Sequence, residues 1–171
     1  LASVFFGKTF VGIAFCDLST GEFMCAEGDL EYVDKLIQSF DPSEVLFSKS
    51  HAKQFAESFQ RGLYTFQLDD WIFKDSYASD QLKDHFQTKN LKGFGVEDLK
   101  LGVIAAGSIL HYLKDTRHTD LSHITAIQRI NRDEYMWMDR FTVRNLELFQ
   151  ANSLNGIPLI HILDHTSTPM G

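Results

Sequence analysis

Hydrophobic residues at the start of the chain follow a pattern typical of three consecutive strands. Residues 1–6 and 22–26 are short, largely apolar runs, and nearly every position across 9–17 is apolar, as expected of a central strand covered on both faces. Short turns at 7–8 and 18–21 separate the three runs. Because turns this short join neighbouring antiparallel strands, the pattern predicts an antiparallel meander.

The hydrophobic period then changes to that of alternating helices and strands. The predicted elements are a helix at 30–40 behind an Asp29 cap, a buried strand at 45–47, a short helix capped by Ser50, a strand at 63–68 and a helix carrying apolar residues from Trp71 to Phe86. A strand–helix–strand crossover requires parallel pairing. The order βββαβαβα is that of the ribonuclease H-like fold, so the sequence predicts an α/β protein with a mixed sheet of that kind.

A long helix is added to this body and is followed by a looser pattern. The helix is expected from Val96 to about Asp115. Its central Ala105-Ala-Gly-Ser108 allows a neighbouring element to approach closely, so we expect the helix to pack against the sheet or an adjoining domain. Strands at 124–130 and 135–138 are expected to leave the α/β body, with helices at 139–149 and 157–163 after them. We therefore predict an α/β domain over 1–130 and the all-α start of a second domain over 131–171, within a longer protein.

Charge and composition narrow the possible partners. The chain is 44% hydrophobic and has a net charge of −7 with no basic block, which disfavours a broad phosphate-binding surface. No apolar run approaches the roughly 20 residues of a membrane-spanning helix, and no signal peptide is recognisable, so we expect no membrane partner.

The two cysteines bear on the cellular compartment. If the turn between them is a two-residue loop at Thr20-Gly21, Cys16 and Cys25 face each other across a hairpin, and a disulfide is conceivable. Since no other secretory feature is present, reduced core thiols are favoured, which indicates a cytosolic protein.

The ribonuclease H-like pattern raises the question of a two-metal nuclease. Enzymes of that fold carry one carboxylate on the first strand and one at the end of the fourth. The first strand here has no acid, the strand ending at Phe47-Ser48 has its only acid, Glu44, at the other end, and Asp17 is expected to cap its own turn. We therefore predict no catalytic residues and no metal site.

Two further motifs are weak. His161 and His165 have the four-residue spacing of zinc-binding histidines on a helix, but Ile162 stands where a catalytic glutamate would be required. Gly93-Phe-Gly95 precedes a helix, yet it lacks the remaining residues of a phosphate-binding loop. We therefore expect no cofactor to bind in this chain.

Several segments resemble the MutS family of DNA mismatch-repair sensors. Residues 135–148 (Tyr-Met-Trp-Met-Asp-Arg-Phe-Thr-Val-Arg-Asn-Leu-Glu-Leu) and 163–171 (Leu-Asp-His-Thr-Ser-Thr-Pro-Met-Gly) look like the opening of that family's core domain. Upstream, the segments 17–23, 91–95, 105–107 and 112–116 are similar to its connector domain. The resemblance spans nearly the whole chain and is most specific over 135–171.

This resemblance implies a role for each part of the chain. Residues 1–130 would be the connector domain, itself ribonuclease H-like without nuclease residues, and 131–171 the beginning of the core (lever) domain. The segment would link the mismatch-reading domain to the core and ATPase domains, transmit nucleotide-driven rearrangement and offer a docking surface to the downstream partner MutL. It would therefore not be an enzyme in itself.

The resemblance also implies properties of the whole parent protein. Members of the family are DNA-stimulated ATPases that use ATP and magnesium, bind mismatched DNA and work as dimers in the cytoplasm, in association with the nucleoid. The resemblance places the family's mismatch-inserting Phe-x-Glu motif in a domain upstream of this segment, and the sequence contains no P-loop motif. Mismatched DNA and ATP would accordingly be bound by other domains.

The candidate partner site lies on the helix after Trp71. A polar stripe on that helix is by default a solvated face, and it also suits a transient protein partner; it consists of Ser76, Ser79, Asp80, Lys83 and Gln87. In the family the MutL contact includes the connector, and the helix precedes the matching stretch 86–95. This places the predicted contact at Asp80 and Gln81.

Two other interpretations stay open at this point. One is a stand-alone ribonuclease H-like interaction domain unrelated to repair, and the other is a divergent nuclease. A P-loop several hundred residues downstream and a Phe-x-Glu motif upstream in the same reading frame would distinguish the MutS interpretation from both.

Overall fold

The computed structural model describes residues 1–59, 62–116, 121–131, 138, 140–153 and 156–166. They belong to two compact units, residues 1–132 and residues 133–171, and each is described by itself. Most of the strand predicted at 135–138 lies outside the described residues, as does Asp139, where the following helix was expected to begin.

The first unit alternates strands and helices in the predicted order. Its elements are β1 (Ala2–Phe6), β2 (Val11–Cys16), β3 (Phe23–Gly28), α1 (Leu30–Phe40), β4 (Val45–Ser48), α2 (Ala52–Ser58), β5 (Thr65–Leu68), α3 (Asp75–His85), α4 (Lys100–Asp115) and β6 (Gln128–Arg129). Short 3₁₀ turns occupy Lys49–His51, Asp70–Phe73 and Lys92–Phe94. The predicted mixed α/β class is therefore confirmed.

All six strands form one mixed sheet in the order β5-β4-β1-β2-β3-β6. The strands β1, β2 and β3 pair antiparallel, with Val4 opposite Ile13, which confirms the predicted meander. Crossovers through α1 and α2 place β4 parallel to β1 and β5 parallel to β4. This topology brings the carboxyl ends of β1, β4 and β5 to the same edge of the sheet.

Helices cover both faces of the sheet, because successive side chains on a strand point to opposite sides. On one face Phe15 stacks on Phe40 of α1, and Phe47 stacks on Phe55 of α2. On the other face, Ala14 and Leu46 join a buried cluster with side chains of α3 and α4. The central strands are therefore buried on both sides, as their near-continuous apolar sequence indicates.

The helix α4 lies close against the sheet and against α3. A β-carbon at Gly12 would lie 2.2 Å from the Leu101 carbonyl oxygen, and one at Gly107 would lie 2.5 Å from Cα of Ala78. The predicted packing of 105–108 on the sheet is confirmed by Ser108, whose hydroxyl lies 2.6 Å from that of Ser3 on β1. The close approach at Gly107 is to α3, which the sequence did not indicate. The helix begins at Lys100 rather than at the predicted Val96, and Val96 packs in the core ahead of it.

The segment 121–130 belongs to the α/β body, so the prediction that it leaves the body was wrong. Its two-residue strand β6 pairs parallel to β3, and the Ile130 N–H donates to the Cys25 carbonyl at 2.9 Å. Ile124 and Ile127 are buried in the main core. Burial of these two side chains holds the segment against the edge of the sheet.

The β2–β3 hairpin does not bring the two cysteines directly opposite each other. Cys16 pairs with Phe23, and Cys25 pairs with Ala14, because the connection spans residues 17–22 rather than two residues. Both thiols are free and buried. Burial raises the pKa of Cys16 to about 11 and that of Cys25 to about 12, so each stays a neutral thiol at pH 7.

The second unit contains two short helices, α5 (Arg140–Asn145) and α6 (Leu159–Leu163). Both are shorter than the helices predicted at 139–149 and 157–163. The backbone N–H groups of Leu159 and Ile160 donate to the carbonyls of Glu147 and Leu148 at 2.9 and 3.0 Å, which ties the two parts of the unit together. Among the described residues of this unit, the large apolar side chains that are exposed are Leu146, Phe149, Ile157, Leu159, Ile160, Ile162 and Leu163.

Within the part of the chain that the structure describes, no helix has the length and apolar character needed to cross a bilayer.

Candidate protein-docking site

The residues predicted to contact a partner both lie in the middle of α3. Asp80 is exposed and Gln81 is half-buried. The Gln81 Oε1 atom accepts a hydrogen bond from Lys114 Nζ at 2.9 Å, and Lys83 Nζ lies 3.7 Å from Asp80 Oδ1. The two residues therefore present one carboxylate and one amide at the surface, with lysines of α3 and α4 beside them.

The opposite face of α3 fixes the position of this surface. Ala78 and Leu82 are fully buried, and Gly107 of α4 meets Ala78 without an intervening side chain. Since the two helix backbones pack this closely, α3 has little freedom to shift or roll against α4. Asp80 and Gln81 are thus displayed from a rigid support.

The polar stripe predicted on this helix is exposed only in part. Ser76 and Asp80 face solvent, whereas Ser79 and Lys83 are half-buried. Gln87 is exposed but lies beyond the end of α3, in a left-handed backbone conformation with φ of 51°.

An aromatic group that the sequence did not single out borders the same helix. Trp71 is 46% exposed, and its ring contacts those of Tyr77 and His111 edge-on, with centroids 5.0 and 5.2 Å apart. The Tyr77 hydroxyl lies 2.8 Å from His111 Nδ1. Burial lowers the pKa of His111, so the imidazole is neutral at pH 7.

The residues around Asp80 and Gln81 come from two different helices. The spacing of residues along each helix is the only indication of this grouping in the sequence. Tyr77 and Gln81 are four residues apart on α3, while His111 and Lys114 are three apart on α4, so each pair shares a helix face. The two faces meet because α3 packs on α4, and the sequence alone does not show that packing.

At the edge where a ribonuclease H-like enzyme would keep its metal ligands, β1 and β4 end in apolar and hydroxyl side chains. The carboxyl end of β1 is Phe5-Phe6 and that of β4 is Ser48. Asp70, which follows β5, accepts hydrogen bonds from the Ser48 hydroxyl and from the Ser50 backbone N–H. Those hydrogen bonds lower the pKa of Asp70.

The two other acids considered as metal ligands lie at the opposite end of the sheet and have structural partners. The Asp17 Oδ1 atom accepts from Ser19 N at 2.8 Å, which confirms the predicted turn cap and lowers the pKa of Asp17. Glu44 precedes β4 and accepts from the Tyr112 hydroxyl at 3.1 Å. Among the residues that the structure describes, no group of three or more His, Cys, Asp or Glu side chains is arranged to hold a metal ion.

The histidine pair does not share a helix. The helix α6 ends at Leu163, so His161 lies within it and His165 lies beyond it. The expected four-residue helical spacing of this pair was therefore wrong. Gly95 ends a 3₁₀ turn with φ of 69°, a conformation that glycine adopts without strain.

Comparison with known proteins identifies the family to which this chain belongs. The family model described as MutS domain II matches residues 1–125. The chain therefore belongs to the MutS domain II family.

Individual relatives agree with this assignment over the entire chain. The sequence is 54% identical to a DNA mismatch repair protein MutS of Cytophaga hutchinsonii, 53% identical to one of Flavobacterium johnsoniae and 52% identical to one of Christiangramia forsetii. Each alignment covers 100% of this chain and 20% of the relative. The chain thus spans about a fifth of the length of these curated relatives, and the resemblance seen in the sequence is confirmed.

Proposed function

We propose that this chain is the connector segment of a mismatch-repair sensor, with a ribonuclease H-like domain over 1–130 and the beginning of the core (lever) domain over 131–171. The order of strands and helices and the match to MutS domain II support this assignment. In this role the segment links the mismatch-reading domain to the core and ATPase domains and transmits nucleotide-driven rearrangement between them.

We also propose that Asp80 and Gln81 form a docking surface for MutL. The observation that carries it is the rigid backing of α3, which is packed on α4 at Gly107 while Asp80 faces solvent. A rigid, pre-organised surface loses less entropy when a partner binds. The exposed Trp71 beside it supplies the kind of aromatic side chain that protein interfaces favour.

The segment itself is proposed to be non-catalytic. Two-metal hydrolysis in enzymes of the ribonuclease H-like fold uses a carboxylate on the first strand and one at the end of the fourth, whereas β1 carries no acid and β4 ends in Ser48. ATP, magnesium and mismatched DNA would be bound by other domains of the parent, which would act as a homodimer in the cytoplasm near the nucleoid. The net charge of −7 agrees with a segment that does not grip DNA itself.

A paired substitution in the complete protein tests the docking surface. Replacing Asp80 and Gln81 by alanine is expected to weaken MutL binding by roughly tenfold, because both side chains are lost from the centre of the contact. Binding is measured by biolayer interferometry on mismatched DNA with ATP. The matched control replaces Gln54 and Glu57 of α2, which are exposed on the other side of the sheet. Undiminished MutL binding by the first variant would reject the site.

The alternatives have their own tests. A stand-alone interaction domain would be encoded without a downstream P-loop, which the flanking reading frame shows directly. A divergent nuclease would bind magnesium at a specific carboxylate pair, and a saturable magnesium titration of the chain followed by NMR would detect that.

A further inference from the structure

The strand β5 lies at one edge of the sheet and keeps part of its backbone unpaired. It pairs parallel to β4, with Val45 opposite Thr65, and the Val45 N–H donates to the Tyr64 carbonyl at 2.9 Å. A residue that bonds across a parallel ladder bonds to the two neighbours of its opposite residue, so alternate residues of β5 bond to β4. The N–H and C=O groups of Thr65 and Gln67 therefore point away from β4, and no described strand pairs with them.

Exposed aromatic side chains line this edge on one face of the sheet. Tyr64 is 82% exposed and Phe66 is 46% exposed. The Phe66 ring contacts that of Tyr112 on α4, with centroids 5.2 Å apart. Because side chains alternate along a strand, Tyr64 shares this face, whereas Thr65 and Gln67 point to the opposite face. The edge is therefore apolar on the α4 side and polar on the other side.

Two devices that protect the edges of many sheets are absent from the sequence of β5. Charged side chains and proline on an edge strand discourage pairing with another chain. Residues 63–68 (Leu-Tyr-Thr-Phe-Gln-Leu) contain no charged residue, proline or glycine. The strand β6 at the other edge, by contrast, carries Arg129, which is paired with Asp98. An uncharged run of this composition readily pairs with a further strand, which indicates a binding edge.

We propose that β5 binds an extended segment of a partner protein, which adds a strand to this edge of the sheet. An extended segment satisfies both outward-facing backbone positions at once, because its own N–H and C=O groups repeat at the same spacing. The two faces of β5 define its side chains: apolar residues on the α4 side alternate with neutral polar residues on the other side. The proposal does not depend on the MutL surface at Asp80 and Gln81.

The charge of the chain distinguishes such a partner from a second copy of the chain itself. Two exposed acids, Asp69 and Asp70, directly follow β5, and the net charge of the chain is −7. A second copy would bring like charges together, whereas a segment with basic residues beside its apolar stretch would be attracted. The occupant of the edge is therefore a partner segment with basic flanks.

An NMR titration of the 171-residue chain tests the edge with a defined probe. The probe is acetyl-Lys-Thr-Val-Thr-Ile-Thr-Lys-amide, which is expected to shift the amide signals of Thr65 and Gln67 saturably. Two matched controls carry N-methyl groups, one on the valine and isoleucine and the other on the last two threonines. Whichever direction the peptide runs, only alternate N–H groups face β5. One control should therefore bind at least roughly tenfold more weakly, while the other retains binding.

Two substitutions at one position separate backbone pairing from side-chain contact. Gln67→Pro removes the outward-facing N–H but no bond to β4, so the sheet should be retained while the probe binds at least roughly fivefold more weakly. Gln67→Ala keeps the N–H and should leave binding unchanged within roughly twofold. Dispersion of the amide spectrum shows that each variant is folded, and the N-methylated peptides apply the same test without altering the chain.

A labelling experiment tests whether the edge is free in the complete protein. Thr65→Cys is made there, with Glu57→Cys on α2 as the control, since both positions are exposed in this segment. Maleimide labelling followed by mass spectrometry of the digested protein should proceed at similar rates at the two positions.

Four results would overturn the proposal. The first is absence of saturable binding or equal binding of all three peptides, and the second is equal binding of the probe by the two Gln67 variants. The third is slow labelling at position 65 alone, which would assign the edge to another domain of the parent. The fourth is a dimer of the chain in sedimentation velocity that Gln67→Pro abolishes, which would assign the edge to a second copy.

Discussion

At the scale of single residues, the absence of a side chain determines how closely α4 can lie to its neighbours. Gly12 and Gly107 stand at two points where backbones meet, and a β-carbon at either would overlap main-chain atoms of the opposing element. Main-chain atoms cannot turn aside as the end of a flexible side chain can, so relief would require the helix itself to move.

The contact between Gly107 and Ala78 can be tested by adding volume. Gly107→Val is expected to lower the free energy of unfolding by about 3 kcal/mol, because overpacking against α3 outweighs the smaller preference of helices for residues other than glycine. Urea denaturation followed by circular dichroism measures the change. Gly93→Val is the control, since a β-carbon at Gly93 would meet no other atom within 4 Å, and a similar loss in both variants would contradict the packing described.

The buried thiols predict a pH dependence of stability. The pKa of each thiol is raised by burial, to about 11 for Cys16 and about 12 for Cys25, above its value in the unfolded chain. Their contribution to stability is therefore complete below the unfolded pKa near 9 and is lost as the pH rises through the folded values. Unfolding in urea at pH 8 and at pH 10.5 should show a larger loss for the native chain than for the double variant Cys16→Ala and Cys25→Ala. Equal losses would contradict the burial of these thiols.

Single residues were predicted well where the interaction is local. Asp17 and Asp29 each accept from a backbone N–H two or three residues further on, and the sequence alone identified both roles. The cysteines were expected to face each other only if the turn were a two-residue loop, and the longer connection at 17–22 shifts the register so that they do not. The favoured prediction of buried, unbridged thiols is confirmed.

At the scale of elements, the short strand β6 shows how little backbone pairing is needed once side chains anchor a segment. Only Gln128 and Arg129 pair with β3, yet the His85 imidazole lies 2.9 Å from the Ile124 carbonyl oxygen, and Arg129 Nη1 lies 2.9 Å from Asp98 Oδ2. The exposed ion pair adds little stability, so we expect the buried isoleucines to contribute most of the free energy that holds this segment on the sheet.

Truncating one of these isoleucines tests whether their burial contributes more than the exposed groups of the segment. Ile127→Ala is expected to destabilise the chain by about 2–4 kcal/mol, through the lost apolar burial and the cavity left behind. Gln128→Ala, in the same strand but with an exposed side chain, should change stability by less than about 0.5 kcal/mol. Thermal unfolding compares them, and equal effects would indicate that Ile127 does not anchor the segment.

Most strands and helices of the α/β body were predicted from the sequence. The exact ends of the helices and the pairing of β6 with β3 were not. Apolar runs and caps indicated the strands and α1, because burial on one or both faces imposes a period on the sequence. The start of α4 at Lys100 was missed, since apolar residues such as Val96 pack in the core without being helical. The attachment of β6 depends on a partner about a hundred residues away, which local periodicity does not encode.

At the scale of the whole molecule, the sheet topology separates two surfaces with different chemistry. One is the Asp80–Gln81 surface on α3, and the other is the free edge of β5. The first could be predicted only through the family resemblance. The second was not predicted, since the order of the strands depends on pairing between residues that are distant in sequence.

Photo-crosslinking from α3 tests the central claim, that this segment docks MutL through that helix. Because the native thiols are buried and have raised pKa values, a cysteine introduced at Asp80 should be labelled selectively with benzophenone maleimide. The labelled chain is irradiated with MutL, and the control carries the label at Glu57 on α2. Crosslinking from position 80 but not from position 57 is the predicted result; crosslinking that is absent at 80, or equal at both positions, would contradict the account.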